Sequence, residues 1–218
     1  MERQIRVTGK GKISVAPDLI RLNITAEGIY KTYEETLKKS AAETEILRKV
    51  FEKAGLNPKD LKTTNFNIDS EYKTWYDKND NYKRKFIGYK FEHNTYIEFQ
   101  NDNKLLGRTL YELSVCGLEV EFSIHHTVKD IEKVKNKLLT KAVEDSKIKA
   151  EVLSKAAGVR LGEIVSINYS WGELKIESEP VSLRASKRIS YDCCSLDVDI
   201  EADDIDVTDT VTVVWEIK

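Results

Sequence analysis

The chain has 218 residues, which suits one large domain or two small ones and allows a core that needs no disulfide staples. Charged residues make up 33% of the chain and hydrophobic residues 40%, which is typical of a globular protein. The 35 basic and 37 acidic residues nearly balance, and this argues against a general nucleic-acid-binding protein, which usually carries a basic excess.

The start of the chain and its cysteines predict the cytoplasm. The first residues, MERQIRVTGKGKISV, contain no apolar segment of the kind found in signal peptides. No apolar run approaches the roughly 20 residues that a membrane-spanning helix needs. The odd, sparse set of cysteines fits a reducing compartment: Cys116, Cys193 and Cys194.

The first two elements are predicted strands. Apolar and polar residues alternate over residues 3–15 and again over residues 20–27, and a period of two indicates a half-buried strand. Ala16, Pro17 and Asp18 form a turn signal between them. The sequence therefore predicts that these two strands form a hairpin.

A long helix follows the first two strands. Thr32 and Glu35 have the spacing of a capping box, and Gly55 is the expected residue at the helix end. Between them an apolar stripe recurs every three or four residues, which predicts one buried helix face: Leu37, Ala41, Thr44, Leu47, Phe51 and Ala54.

The segment EYKTWYDKNDNYKRKFIGYKF, residues 71–91, has the pattern of a long hairpin around the turn cluster DKNDN. Strand alternation predicts that four rings point inward: Tyr72, Tyr76, Tyr89 and Phe91. The same alternation leaves Lys73, Lys90 and four further residues on the outer face or at the tip. We predict that these four form an interaction surface: Trp75, Tyr82, Arg84 and Phe86. A simple solvated hairpin is the alternative.

The second half of the chain predicts two more helices and several strands. A short helix is expected over about residues 103–115 and a long one over about residues 130–157. The long helix has a stripe with several small residues, so it can lie close to its sheet: Leu139, Val143, Ser146, Ala150, Leu153 and Ala157. Residues 172–206 are predicted to be a long variable loop, and residues 207–217 the last strand.

These elements predict an α+β protein in which an antiparallel sheet of hairpins is covered on one face by two long helices and one short helix. The segments KAGLNPKDLKTTNFNI and KAAGVRLGEIVSINYS each read as a helix end, a glycine, a loop and a strand. This echo predicts two related strand–helix–strand units within a single domain over residues 1–218.

Three segments together resemble the SIMPL-domain family. VTGKGKISVAPDLIRLNITAEG, residues 7–28, is similar to the family's opening G-x-G and PD hairpin, and IGYKFEHNTYIEF, residues 87–99, to its GY-containing strand. KAVEDSKIKAEVLSKAAGVRLGEIVSI, residues 141–167, is the most specific segment and resembles the A-x-x-D-[AS]-x-x-K-A-x-x-L-A-x-x-x-G-x-x-L-G signature. The closing DTVTVVWEIK fits the family's last strand, so the similarity covers nearly the whole chain.

The resemblance implies an α+β fold and a tendency to form homo-oligomers, including ring-like or channel-like assemblies. It does not imply an enzyme, because no activity is generally established in the family. Many bacterial members carry a signal peptide and are periplasmic or envelope proteins, and the absence of a visible one here is the reason to expect the cytoplasm.

We predict no catalytic, cofactor or metal site. GKGKIS, residues 9–14, lacks the strand-to-helix context of a phosphate loop, so strand glycines are the better interpretation. His125 and His126 point to opposite faces of a strand, and His93 and His126 follow the apolar parity of partly buried imidazoles. Neither a base nor a helix N-terminus can be placed beside Cys193 and Cys194, which argues against a catalytic thiolate.

Three functional hypotheses follow. The first is a non-enzymatic, self-associating protein that acts through assembly or protein partners, in stress or envelope physiology. The second is an enzyme whose site forms between subunits or under residues 172–206. The third, disfavoured by the net charge, is single-stranded nucleic-acid binding through the hairpin of residues 71–91, where bases would stack on rings and phosphates meet cations.

Overall fold

A computed structural model describes residues 3–169, 174–185 and 202–218, and it confirms the predicted α+β class. Within these residues, the elements follow one another along the chain in this order: β1 Gln4–Val15, β2 Leu19–Tyr30, α1 Tyr33–Ala54, a 3-10 turn Pro58–Asp60, β3 Lys62–Tyr76, β4 Tyr82–Gln100, α2 Asn103–Val115, β5 Val120–Thr127, α3 Ile131–Ala156, β6 Leu161–Asn168, β7 Val181–Ala185 and β8 Ile205–Ile217.

The chain divides into two compact units. The three-stranded unit comprises Met1–Asp18, Thr127–Ser178 and Ala202–Lys218, and its sheet has the order β1-β8-β6. The five-stranded unit comprises Leu19–His126 and Glu179–Glu201, and its sheet has the order β3-β4-β2-β5-β7. Whether the chain behaves as the predicted single domain stays a prediction.

β1 and β2 lie in different sheets, so the hairpin predicted for them is wrong. β1 pairs antiparallel with β8, whereas β2 pairs antiparallel with β4. The Asp18 N–H donates to the Thr127 carbonyl at 3.1 Å, and the Asp18 carboxylate accepts from the Lys129 N–H at 2.7 Å. The turn that Pro17 and Asp18 signalled is therefore fastened to the chain after β5 instead of closing a hairpin.

In the five-stranded unit, α1 packs on β2 and β4 and also against α2. The predicted capping is confirmed: the Thr32 hydroxyl accepts from the Glu35 N–H, and Gly55 ends the helix at φ 96°. Large apolar side chains fill the core of this unit: Ile20, Leu22, Ile24, Leu47, Val50, Phe51, Phe91, Ile97, Leu106, Leu113 and Ile124. Leu37, predicted to lie in the buried stripe, is exposed instead.

In the three-stranded unit, α3 packs on β1 and β8, and its buried face is rotated relative to the predicted one. The buried residues of α3 are mostly small: Leu138, Ala142, Ser146, Ala150 and Ser154. Leu139 and Val143 are only partly buried, and Leu153 is exposed. The bulky apolar residues that defined the predicted stripe therefore flank the contact, and small residues make it.

The predicted long loop contains more structure than expected. β7 pairs antiparallel with β5, and Glu177 forms an isolated bridge with Thr127. Cys193 and Cys194 lie outside the described residues, so the expectation that neither is a catalytic thiolate stays a prediction.

Candidate interaction surface

The hairpin of β3 and β4 runs beyond the part of the sheet that the helices cover. Residues 72–76 and 82–86, called the outer ribbon from here on, are paired with one another, and every one of them is exposed. The predicted inward burial of Tyr72 and Tyr76 is therefore wrong, and Tyr76 keeps 68% of its surface accessible. The rings have the right parity for the core side, but no described element packs over them there.

A bulge determines which side chains share a face of the outer ribbon. Glu71 pairs with Gly88 and Tyr72 pairs with Phe86, so Ile87 is an extra residue in β4. One extra residue moves every later side chain of a strand to the other face. A Cβ on Gly88 would also overlap the Tyr30 carbonyl oxygen, so glycine is required beside the bulge.

Six residues, in three cross-strand pairs, form what we call the aromatic face of the outer ribbon. Cross-strand register places Tyr72 opposite Phe86, Tyr76 opposite Tyr82, and Arg84 opposite Thr74 between these ring pairs. The Tyr72–Phe86 and Tyr76–Tyr82 ring centroids are 5.6 and 5.7 Å apart with edge-to-face geometry. Such pairs add stabilisation beyond their buried area, so the aromatic face is an ordered surface.

A cation–π contact and two more ring contacts add to the aromatic face. The Arg84 guanidinium carbon lies 4.0 Å from the Tyr72 ring centroid, which is a close cation–π contact. Phe86 meets Tyr89 edge to face at 5.3 Å, and Tyr89 meets Tyr33 in the same way at 5.8 Å. The chain of rings therefore runs from the hairpin tip to the first residue of α1.

The opposite side of the outer ribbon, which we call the cationic face, carries a different chemistry. Lys73 lies directly opposite Lys85, and Trp75 lies opposite Lys83. The structure thus brings three of the four predicted surface residues together on the aromatic face: Tyr82, Arg84 and Phe86. It places the fourth, Trp75, on the cationic face, so the predicted set is divided between two surfaces.

Asp77 holds the hairpin tip in one conformation. Its carboxylate accepts the backbone N–H groups of Asn79 at 2.9 Å and Asn81 at 3.0 Å. These hydrogen bonds, first the one from Asn81 and then the one from Asn79, hold the pKa of Asp77 below its usual value. One carboxylate therefore binds the loop that joins the two strands of the outer ribbon.

His93 is a buried, hydrogen-bonded imidazole, as predicted. Thr44 Oγ1 donates to the Ser40 carbonyl at 2.9 Å, so it accepts from His93 Nδ1 at 3.2 Å. His93 Nε2 then accepts from Thr63 Oγ1 at 2.9 Å. Burial lowers the pKa of His93, which keeps the ring neutral.

No group of three metal-ligating side chains occurs among the residues that the structure describes. His126 is buried, and its pKa is lowered first by burial and then by the nearby His125. Burial also raises the pKa of the half-buried Cys116 thiol, which suppresses the reactive thiolate. Both shifts favour the neutral forms of the His126 and Cys116 side chains.

The glycines of GKGKIS serve helix packing. A Cβ on Gly9 would overlap the Ala142 carbonyl oxygen and lie 2.5 Å from the Ser146 nitrogen, and one on Gly11 would overlap the Leu138 carbonyl oxygen. α3 therefore rests almost directly on the backbone of β1. Gly9 and Gly11 both lie in β1, as expected of strand glycines.

Charged residues of α3 hold the outer edge of β1. The Lys10 N–H donates to the Asp145 carboxylate at 2.6 Å. Lys141 Nζ donates to the Lys12 carbonyl at 3.4 Å, and Lys149 Nζ to the Thr8 carbonyl at 3.3 Å. Lys141, Asp145 and Lys149 are four residues apart, so they form one row along the helix. Sequence reasoning found the signature but missed this role, which the four-residue spacing of the charges could have indicated.

Comparison with known proteins identifies a family and two similar proteins. The SIMPL family model, described as "Protein of unknown function (DUF541)", matches residues 5–215. Proteins named "26 kDa periplasmic immunogenic protein" from Brucella melitensis biotype 1 and Brucella abortus (strain S19) are similar to this chain. Each is 28% identical over 220 residues, which cover 99% of this chain and 85% of the relative.

These names correct one prediction. Both relatives are named as periplasmic proteins, so the predicted cytoplasmic location is wrong. The prediction used the lack of a visible signal peptide, and that lack does not decide where a chain resides. Separately, none of the described helices combines the length and the apolar character needed to cross a bilayer.

Proposed function

This chain belongs to the SIMPL family, and from that premise we propose that it acts without catalysis, by self-association through the aromatic face of the outer ribbon. The proposal depends on one observation, the row of ordered and exposed rings on a hairpin that no described helix covers. Contiguous exposed apolar surface of this kind marks interaction sites in soluble proteins.

The composition of the aromatic face supports a protein partner. Tyrosine, phenylalanine and arginine are enriched in the centres of protein interfaces, where they supply large, rigid contact areas. The edge-to-face ring pairs already hold these side chains in fixed positions. Association therefore costs little additional side-chain entropy.

A second copy of the chain is the partner that we propose. Two identical faces can meet about a two-fold axis, because each ring row is then opposed by the same row in reverse. The other face of the ribbon carries like charges and would repel its own copy. Together with the names of the relatives, this supports an assembling protein of the periplasm that takes part in envelope physiology.

Sedimentation velocity over a range of protein concentrations tests the proposal. We expect wild-type protein to associate, and the double substitution Tyr82→Ser with Phe86→Ser to weaken association at least about tenfold, because both ring pairs lose a member. Tyr111→Ser is the matched control, since Tyr111 of α2 is 41% exposed and Phe86 is 42% exposed.

Two results would contradict self-association. One is a wild-type chain that stays monomeric at every concentration reached. The other is an equal loss of association in the control and in the aromatic-face variant, which would assign the effect to general hydrophobicity. Circular dichroism of each variant establishes that the fold is retained.

A further inference from the structure

The outer ribbon carries a local positive charge that self-association through the aromatic face does not use. The whole chain has a net charge of −2, yet the outer ribbon and the loop at its tip, residues 72–86, contain five basic residues and two acidic ones. Three of the basic residues, Lys73, Lys83 and Lys85, share the cationic face with Trp75. The opposite sign of this segment points to an anionic partner.

The lysines are arranged unfavourably for the isolated protein. Lys73 and Lys85 are cross-strand neighbours, and like charges in that position destabilise a sheet. Neither forms an ion pair with a described residue, and Lys83 reaches the Asp77 carboxylate only at 3.7 Å. A surface that brings negative charge to this face would remove the repulsion.

Aromatic residues surround the same tip. Trp75, Tyr76 and Tyr82 flank the tip loop, and each exposes more than 40% of its surface. Tryptophan and tyrosine favour the boundary between lipid headgroups and acyl chains, where one end of the ring is apolar and the other meets water. Clusters of Lys and Arg close to a membrane surface are attracted to anionic lipids.

We infer that the tip and cationic face of the outer ribbon bind the headgroup surface of an anionic phospholipid bilayer. Lysine ammonium groups meet lipid phosphates, and Trp75 enters the headgroup region beside them. Lys73, Lys83, Lys85 and Trp75 lie on the face opposite the aromatic face. Tyr76 and Tyr82 belong to the aromatic face, so the contact is carried by the lysines and Trp75 and does not depend on self-association.

The ring geometry favours a bilayer over single-stranded nucleic acid. Base stacking needs open ring faces, but Arg84 covers one face of Tyr72, and Tyr76 and Tyr82 meet edge to face. The cationic face offers a single ring, Trp75, for stacking. A bilayer requires no stacking sites, only positive charge and amphipathic rings at a projecting tip.

The outer ribbon is long enough to separate its positive charge from the acidic groups in the rest of the chain. Five residues at about 3.4 Å each span about 17 Å. The Debye length at physiological ionic strength is about 8 Å. Acidic groups beyond the base of the ribbon are therefore screened from a surface that touches the tip.

Vesicle co-sedimentation of the full chain tests this inference. We expect binding to vesicles that contain phosphatidylglycerol, no binding to vesicles of phosphatidylcholine alone, and loss of binding at high salt. Lys73→Glu with Lys85→Glu should weaken binding at least about tenfold. Lys137→Glu with Lys147→Glu makes the same charge change on exposed positions of α3 and should leave binding unchanged.

Three results would overturn the inference. The first is wild-type protein that ignores phosphatidylglycerol vesicles at low salt. The second is an equal loss of binding in the ribbon variant and the α3 control, which would show a nonspecific charge effect. The third is binding to a single-stranded homopolymer without binding to vesicles. Sedimentation velocity of the lysine variants without lipid shows whether they still self-associate. A variant that self-associates but does not bind vesicles has lost lipid binding alone.

Discussion

The two long helices are attached to their sheets in different ways. α1 inserts Leu47, Val50 and Phe51 into the core of the five-stranded unit. α3 places Ala142 and Ser146 against Gly9 of β1, so backbone approaches backbone. A side-chain contact can adapt by changing rotamers, but a backbone contact can adapt only if the whole helix moves.

This difference predicts opposite sensitivities to substitution. The contact of α1 should be damaged when volume is removed, since a cavity remains among large side chains. The contact of α3 should be damaged when volume is added, because no space exists between helix and strand. Substitutions on each side therefore distinguish the two kinds of packing.

The largest expected effect is that of Gly9→Leu. The new side chain would occupy the position of the Ala142 carbonyl oxygen, so α3 must leave β1, and we expect the three-stranded unit not to fold. Loss of the cooperative urea transition, followed by tryptophan fluorescence, would report this.

Gly117→Leu is the control for that substitution. A Cβ at Gly117 meets nothing within 4 Å, so only its left-handed φ of 77° is strained, at a cost of about 1–2 kcal/mol. If Gly9→Leu unfolds no more readily than this control, the close approach of α3 does not matter for stability.

Phe51→Ala should have the next largest effect. Phe51 is fully buried between α1 and its sheet, so its truncation is expected to lower the free energy of unfolding by about 3–5 kcal/mol. Phe51→Leu retains most of the volume and should cost less than about 1.5 kcal/mol. Equal urea midpoints for the two variants would argue against packing by large side chains at this contact.

The smallest effect concerns pH. Burial lowers the pKa of His93 in the folded state, so the unfolded chain binds the proton more readily. The free energy of unfolding should therefore fall as the pH drops below about 6.5, and it should level off below the folded-state pKa. His126, whose pKa is lowered in the same direction, should contribute with the same sign.

His93→Gln isolates the first contribution. Glutamine keeps a donor and an acceptor for Thr44 and Thr63 but does not titrate. The urea midpoint of this variant should change less between about pH 7.5 and about pH 5.5 than that of the wild type. If the urea midpoint of His93→Gln changes with pH as much as that of the wild type, another group causes the pH dependence.

Local signals in the sequence predicted the elements well. Thr32 and Gly55 marked the limits of α1, and the turn cluster after Tyr76 marked the hairpin, because capping and turn chemistry act over a few residues. Pairing over long distances was not predictable. A period of two identifies β1 as a strand, but it does not name β8 as its partner.

The exposure of the four predicted surface residues could be read from the sequence, but their arrangement could not, and whether they form an interaction surface stays a prediction. Trp75, Tyr82, Arg84 and Phe86 are all exposed, but the alternation rule assigned their faces without the extra residue Ile87. The isolated Gly88 within a strand was the available signal for a bulge. The buried face of α3 was misassigned for a related reason, since apolar periodicity favours bulky residues over the small ones that meet glycine.

The row of Lys141, Asp145 and Lys149 has a consequence for the growth of sheets. Hydrogen-bonding groups left open along a boundary strand can template a further strand and lead to aggregation. Here the chain's own helix occupies such groups at Thr8, Lys10 and Lys12. Because these groups already have partners, β1 is protected against pairing with a strand of another molecule. In a variant that lacks Asp145, the Lys10 N–H would become available for such pairing.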